Sequence, residues 1–374
     1  MIPYGRHQIN EQDVTAVTRV LNGDWLTTGP SVEEFELELS KLAGAPCITV
    51  SSGTAALHAA YAAIGILPGD EVITPPLTFI ATQATAVLFG ATIVFCDIQP
   101  DTGNIDPTKL EELITPKTKA VVAVDFAGHP AELSEIREIT ERYGIYLIED
   151  AAHSFGSKYR EKPVGSIADL TTFSFFPTKN MTTGEGGAVS SLNPELLNRA
   201  KLFSRQGLVR DPKLMDFPNE GPWHQEVHSF GINYRLPDIL CALGISQIKR
   251  IQEFKNKRTQ IFNQYSEVLN GFTEILPTRR PYVDPMWHLF PIQVPTIRRK
   301  QIFQNLRADG IGVQVNYLPA HLHPVFRKMG FSEGNFPVAE TFYQQEISLP
   351  MHAGLTEKDI EFISSKLIKN LDEL

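Results

Sequence analysis

"KAVVAVDF" (119–126), "ELSEIREITERYG" (132–144) and "IYLIED" (145–150) follow one another in the middle of the chain. The first and last are short apolar runs rich in β-branched residues. The piece between them has a helical pattern and ends in glycine. Strand, helix and strand in that order make a βαβ unit, which places two parallel strands in a sheet covered on both faces. The same rhythm extends upstream. "CITV" (47–50) precedes "TAALHAAYAAIG" (54–65), and "EVITPP" (71–76) precedes "FIATQATAVLFG" (79–90) and then "TIVFCD" (92–97). The expectation is an α/β fold with a large, mostly parallel central sheet flanked by helices. Ligands in such sheets bind beyond the carboxyl ends of the strands, so functional residues are expected just after each strand.

The pattern changes after Pro237. Ile245, Ile248, Ile251, Phe254, Ile261, Phe262, Tyr265 and Val268 recur mostly every three or four residues, and no proline interrupts 238–272. That predicts one long amphipathic helix or two in series. Fewer strands follow, at "HLFPIQV" (288–294) and "GVQVNYLP" (312–319), with helices near 300–308 and 356–370. The expected division is a large domain over 1–250, including the N-terminal segment, and a smaller α+β domain over 251–374.

The chain has 374 residues, ordinary hydrophobic content and a formal charge of −9, so there is no overall basic footprint for nucleic acid or an anionic membrane. Cys47, Cys96 and Cys241 are too far apart for a metal-like spacing and make no even disulfide set. With no secretory leader pattern and no apolar run near membrane length, a cytoplasmic protein is expected.

Three pieces suggest chemistry. "SSGTAALHAAY" (51–61) places small polar residues at a helix start, which suits a phosphate, although, for this motif taken alone, plain N-capping with a glycine turn is the commoner explanation. "IYLIEDAAHSFGS" (145–157) ends an apolar strand in Glu149 and Asp150, with His153 just beyond. A carboxylate there is partly desolvated and needs a partner, either a ligand's cationic group or a structural ion pair. "TFSFFPTKNMTTGEGGAV" (172–189) sets Lys179 past a strand end and ahead of glycines. An amine beside a desolvated, glycine-lined site has a lowered pKa and attacks carbonyls. A phosphate-like helix start, an acid and then a lysine, in that order, fit a pyridoxal phosphate site.

With these motifs in place, the sequence resembles the DegT/DnrJ/EryC1/StrS sugar aminotransferases, which have the fold-type I, aspartate-aminotransferase-like architecture. The resemblance runs from "NGDWLTTGPSVEEFE" (22–36) through "SSGTAAL", "TPPLTFIAT" (74–82), "EDAAHSFGS", "FSFFPTKNMTTGEGGAV" and "GINYRLPDI" (231–239) to "EISLPMH" (346–352). "GNIDPTKLEELI" (103–114), "TKAVVAVDFAG" (118–128) and "QEISLPMHAGL" (345–355) are most similar to the 4-aminotransferases of pseudaminic acid synthesis.

The resemblance implies that Lys179 binds pyridoxal 5'-phosphate covalently and that Asp150 partners its ring nitrogen. Phe79 would cover the ring face, with His153 near the ring hydroxyl. Gly53, Thr54, Ala55 and Ser174 would cradle the phosphate. Asn233 would come from the neighbouring subunit of a homodimer with shared active sites. Tyr4, Arg6, Trp25, Thr28, Tyr317, His321 and His323 would line the sugar-nucleotide pocket. Two histidines in "HLH" (321–323) without a third ligand imply no metal. The chain departs from the family at "FSRQGL" (203–208), where Gln206 stands in place of a histidine. The implied reaction moves an amino group from glutamate, through pyridoxamine phosphate, to C4 of a UDP-linked 2-acetamido-2,6-dideoxy-4-hexulose. A dTDP-keto-sugar 3-aminotransferase and a cofactor-binding regulator without turnover are the alternatives. A related 3-dehydratase would carry histidine in place of Lys179.

Overall fold

The computed structural model describes residues 1–372. Seven strands form the main sheet: β1 (Cys47–Val50), β2 (Glu71–Thr74), β3 (Thr92–Phe95), β4 (Thr118–Val124), β5 (Tyr146–Asp150), β6 (Leu170–Ser174) and β7 (Gly187–Ser190). Their order is β1-β7-β6-β5-β4-β2-β3. Six run parallel, and β7 is antiparallel between β1 and β6. Val121, Val122 and Ala123 of β4 are wholly buried, as a strand covered on both faces requires.

The local sequence explains the flanking helices. Helix α1 (Glu11–Leu21) opens with a capping box between Asn10 and Asp13. Helix α2 (Pro30–Ala43) starts at a proline and ends at Gly44 in the left-handed conformation. Helix α3 (Gly53–Ala63) buries Ala55, Ala56, Ala59, Ala60 and Ala63. Small side chains on most of its faces let it lie close under the sheet. Helices α4 (Ala81–Val87), α5 (Leu133–Tyr143) and α6 (Pro194–Ser204) complete the layers.

The periodic stretch after Pro237 resolves as two helices, α7 (Asp238–Ile248) and α8 (Ile251–Val268). They break at Arg250, whose guanidinium turns back to Asp13 Oδ2 at 2.5 Å and to the Gln8 carbonyl at 3.0 Å. Beyond them β8 (Phe290–Gln293) pairs antiparallel with β9 (Glu346–Leu349). Helix α9 (Thr296–Ala308) and a last helix, Glu357–Asp372, cover that pair. Trp287 stacks on Phe262 with ring centroids 3.9 Å apart. "GVQVNYLP" is not a strand, contrary to expectation. It makes a single bridge, Gln314 to Ser348, and the residue before it, Ile311, makes another to Ile2. The Asn316 N–H is taken by the Glu346 carboxyl at 2.7 Å, and a side chain cannot continue the ladder. The first residues of the chain join this region, with Gly312 N–H donating to the Ile2 carbonyl at 2.8 Å. Among the described residues no helix is long and apolar enough to cross a membrane.

Candidate active site

The registers of β1, β5, β6 and β7 bring the three sequence motifs together. Asp150 lies opposite Thr172, two residues before Ser174. Gly187 lies opposite both Val50 and Ser174. A Cβ on Gly187 would come 2.4 Å from the Ser52 carbonyl oxygen, so only glycine lets "SSGT" fold down onto β6. A Cβ on Gly53 would come 2.7 Å from Ser174 Cβ, so the start of α3 and Ser174 are in direct apposition. The Ala55 N–H is taken by Ser52 Oγ at 3.1 Å. The amides of Gly53 and Thr54, which have no partner within the helix, carry the open donors at its positive end. Ala55 is therefore placed beside the cradle without a free amide to give it.

Asp150 is buried at the end of β5. Thr82 Oγ1 donates to its Oδ2 at 2.8 Å, and the Ala152 N–H to its Oδ1 at 3.3 Å. Burial raises its pKa, while these donors and the nearby Lys179 ammonium pull it down. Burial lowers the Lys179 amine to about 8, against the attraction of Asp150. The turn that carries Lys179 is closed at its base. Phe175 N–H donates to the Gly186 carbonyl at 2.9 Å, Thr183 N–H returns to the Phe175 carbonyl at 3.0 Å, and Lys179 N–H bonds the Phe176 carbonyl at 2.8 Å.

His153 Nε2 is hydrogen-bonded to the Tyr317 hydroxyl at 3.1 Å, and its ring packs on His288 with centroids 4.3 Å apart. Burial first, then the Lys179 charge, hold its pKa well below the usual range. Its Nδ1 is buried without a partner. Phe79 is 58 % exposed and set edge-on to Tyr317 at 6.1 Å, so it is no core residue. Asn180 fixes this corner by donating to the His153 and Met286 carbonyls at 2.7 and 3.2 Å.

The remaining candidates divide. Tyr4 accepts from Asn316 Nδ2 at 2.6 Å, next to Tyr317. Arg6 shares the lining of a void of about 10 Å³ with Lys179 and Asn180. Thr28 lines a separate cleft of about 690 Å³ with Lys201, Arg205, Gln206, Arg210 and Arg235. Trp25 is exposed and folds against Gly29. Asn233 is exposed, while the next residue's carbonyl accepts from the Ser51 N–H at 2.8 Å. Gln206 Oε1 accepts from Arg235 at 3.0 Å. His321, expected in the lining of the sugar-nucleotide pocket, is wholly buried, with Nε2 hydrogen-bonded to Glu340 at 2.9 Å and Phe336 packed on its ring. His323 is half-buried and caps the short helix Pro324–Arg327. Away from both histidines, Asp216, Glu226 and His228 have ligand-type atoms within 4.8 Å of one another. Glu226 is already held by the amides of Asp216 and Phe217 and by His224 and His228.

Thr82, Asn180 and His288 carried no signal in the sequence. Glu346, Asn316 and Ser348 were equally silent. Glu346 accepts from the Asn316 N–H at 2.7 Å and from Ser348 Oγ at 2.5 Å, and burial lifts its pKa to about 8. Apart from the Glu346–Ser348 bond, which lies within β9, these contacts join distant segments.

The residues fit pyridoxal phosphate. A partly desolvated amine, a buried carboxylate, an orphaned ring nitrogen and an apposed helix start and serine lie around one corner of the sheet. Comparison with known proteins points the same way. The profile of the DegT/DnrJ/EryC1/StrS aminotransferase family matches residues 7–368. The UDP-4-amino-4,6-dideoxy-N-acetyl-beta-L-altrosamine transaminase of Campylobacter jejuni is 38 % identical over 384 residues, with 100 % of this chain and 98 % of that one covered. The putative sugar aminotransferase Spr1654 of Streptococcus pneumoniae, solved in its PMP and PLP forms, superposes with a TM-score of 0.94 for the PMP form, at 30 % identity and full coverage of both chains. PseC of Helicobacter pylori, an aminotransferase involved in the biosynthesis of pseudoaminic acid, superposes at 0.91 with 31 % identity, again over both whole chains. The chain belongs to the DegT/DnrJ/EryC1/StrS aminotransferase family, a family of pyridoxal phosphate-dependent sugar aminotransferases.

Proposed function

We propose that this enzyme moves an amino group from glutamate to C4 of a nucleotide-linked 4-keto-6-deoxy sugar. The sugar is UDP-2-acetamido-2,6-dideoxy-4-hexulose, and the product is a 4-amino sugar for pseudaminic acid or a related glycan. The observation that carries the reaction is the desolvated Lys179 amine in the field of Asp150, at the strand ends beside the start of α3. The Campylobacter transaminase and PseC support the choice of sugar.

Pyridoxal phosphate, when bound, supplies an aldehyde to take the amine and a ring to accept electrons. Lys179 would hold the aldehyde, Asp150 the ring nitrogen, Phe79 one ring face, and Gly53, Thr54 and Ser174 the phosphate. With its pKa near 8, Lys179 Nζ is neutral in a useful fraction of molecules at neutral pH. Once free, Lys179 Nζ would take a proton from the α-carbon of the amino donor as general base and deliver it as general acid to the cofactor's nitrogen-bearing carbon, and would run the same transfer in reverse toward C4 of the sugar. Burial raises the Asp150 pKa, and Thr82, the Ala152 amide and the Lys179 ammonium oppose that by favouring its charged form. Tyr317 and His153 orient each other and close the site on the C-terminal side.

We read the division of the chain as a cofactor-binding domain over 1–250 and a smaller domain over 251–374. The enzyme works as a cytoplasmic homodimer in which Asn233 serves the neighbouring site. Trp223, Phe230 and Phe217 leave the 208–232 segment 79 %, 98 % and 67 % exposed at those positions, apolar surface that a second copy would cover. Incubation with glutamate and a panel of UDP- and dTDP-keto sugars, followed by NMR of the product, tests substrate and position together. Amination at C3, or of dTDP sugars alone, overturns this reading.

A further inference from the structure

Asp125 and Glu149 are wholly buried carboxyls that the reaction does not use. Asp125 follows β4. Glu149 precedes Asp150 in β5 and therefore points to the opposite face of the sheet. Asp125 grips the turn after β5 at both ends. Its N–H donates to the Asp150 carbonyl at 3.2 Å, and its Oδ2 accepts from Ser154 Oγ at 2.5 Å. Its other oxygen accepts from the Ala131 N–H at 2.9 Å. Glu149 Oε2 accepts from Thr171 Oγ1 at 2.9 Å, which ties the pair to β6.

The two carboxyls are in contact, yet Glu149 Oε1 has no donor. Two ionised carboxyls have no hydrogen to place between them. Among the described residues the ionisable groups acting on the pair are the two carboxyls themselves and Asp150, none of them a cation, while β6 contributes a hydroxyl and the segments at Ala131 and Gly165 an amide each. His153, on the same turn, faces Tyr317 and His288. Two bare carboxylates buried in contact are strongly unfavourable, and one retained proton both removes a charge and supplies the missing hydrogen bond.

We propose that Asp125 and Glu149 share one proton, and that this acid–carboxylate pair fixes the 151–154 turn, making both residues positioning residues for Asp150 and His153. The proposal rests on reading Asp150 and His153 as cofactor-facing groups; its first two tests do not. Burial, then the mutual repulsion, moves Asp125 well above the carboxylate range, and burial raises Glu149 from 4.5 to about 7. Above the ordinary carboxylate range the folded chain therefore keeps a proton that the unfolded chain has released. The shared proton is the last to leave and follows Asp125, so its stability is full at low pH and is lost as pH rises from the ordinary carboxylate range through the raised Asp125 value.

The cofactor-free protein provides the test. An infrared difference spectrum, wild type minus Glu149→Gln at neutral pH, should show the C=O stretch of one protonated carboxyl; Glu346 contributes to both samples and cancels. The unfolding temperature of wild type should fall with rising pH across that window, and that of Glu149→Gln should fall less, because its amide donates at every pH. Affinity for pyridoxal phosphate, read by absorbance titration, should stay within about threefold in Glu149→Gln and weaken about tenfold or more in Asp125→Ala. If Asp125→Ala does not fold, Ser154→Ala removes the same grip from the other side and should weaken binding in the same direction. No carboxyl band, or equal pH slopes, would overturn the shared proton. Wild-type affinity in Ser154→Ala and in any folded Asp125→Ala would overturn the positioning role. Covalent attachment that survives Lys179→Ala would overturn the reading of the site instead.

Discussion

The candidate site has two halves, and they are built differently. On the sheet side, Ser51–Thr54, Asp150 and Ser174 sit at or just beyond strand ends whose register fixes them, and Lys179 follows on a turn closed by its own backbone. On the C-terminal side, Tyr317 is placed by a polar network in which Asn316, Ser348, Glu346 and Tyr4 hold one another across the chain. Regular backbone pairing positions the first half. Buried side-chain hydrogen bonds position the second. The first should therefore fail by losing chemistry, and the second by losing stability and fit.

Lys179→Ala is the severest challenge. It should abolish covalent cofactor attachment and lower turnover about a thousandfold or more, with little change in folding, as checked by absorbance and single-turnover kinetics. The same amine sets a pH dependence. Only its neutral form attacks a carbonyl, so the rate at which the cofactor-free enzyme takes up pyridoxal phosphate should climb about tenfold per pH unit below about 8 and level off above it. A rate still climbing steeply to pH 10 would mean that the amine is not desolvated. Asp150→Asn should keep cofactor bound and slow turnover by about a hundredfold, since the amide cannot balance a protonated ring nitrogen.

The C-terminal half should answer differently. Glu346→Ala leaves the Asn316 amide and the Ser348 hydroxyl without their buried acceptor. A loss of about 1–3 kcal/mol in urea unfolding is expected, with Lys179 still able to bind the cofactor. If Glu346→Ala instead removed attachment at unchanged stability, the contrast between the halves would collapse. The smallest effect should come from Asp238, whose carboxylate accepts from the Gly29 and Ser31 amides at 2.8 and 2.9 Å and so caps α2 from a distant part of the chain. Asp238→Ala should cost about 0.5–2 kcal/mol in the same measurement.

This contrast also explains what the sequence revealed. The parallel sheet, Asp150, Lys179 and the "SSGT" helix start are legible because each signal is local: an apolar run, a polar residue at its end, a glycine or serine at a helix start. Thr82 and Glu346 are not, since nothing near either residue in sequence announces its partner. His321 shows the opposite case, a local signal whose partner lies elsewhere. A histidine in a short polar motif suggests a ligand contact, but its partner is Glu340, on the helix Pro337–Gln345. "GVQVNYLP" misleads in a related way, because its alternation is that of a strand while the Asn316 amide is diverted to a side chain.

The closed turn around Lys179 has a consequence for motion. With Phe175, Thr183 and Gly186 joined across its base, the backbone there has little slack, and the amine travels by rotation about its own side-chain bonds. Side-chain rotation needs no backbone rearrangement, whereas loops open over nanoseconds to microseconds or longer. The lysine can therefore let go of one partner and meet the next without waiting for the chain around it, and any slow conformational step in the cycle belongs to a different part of the molecule.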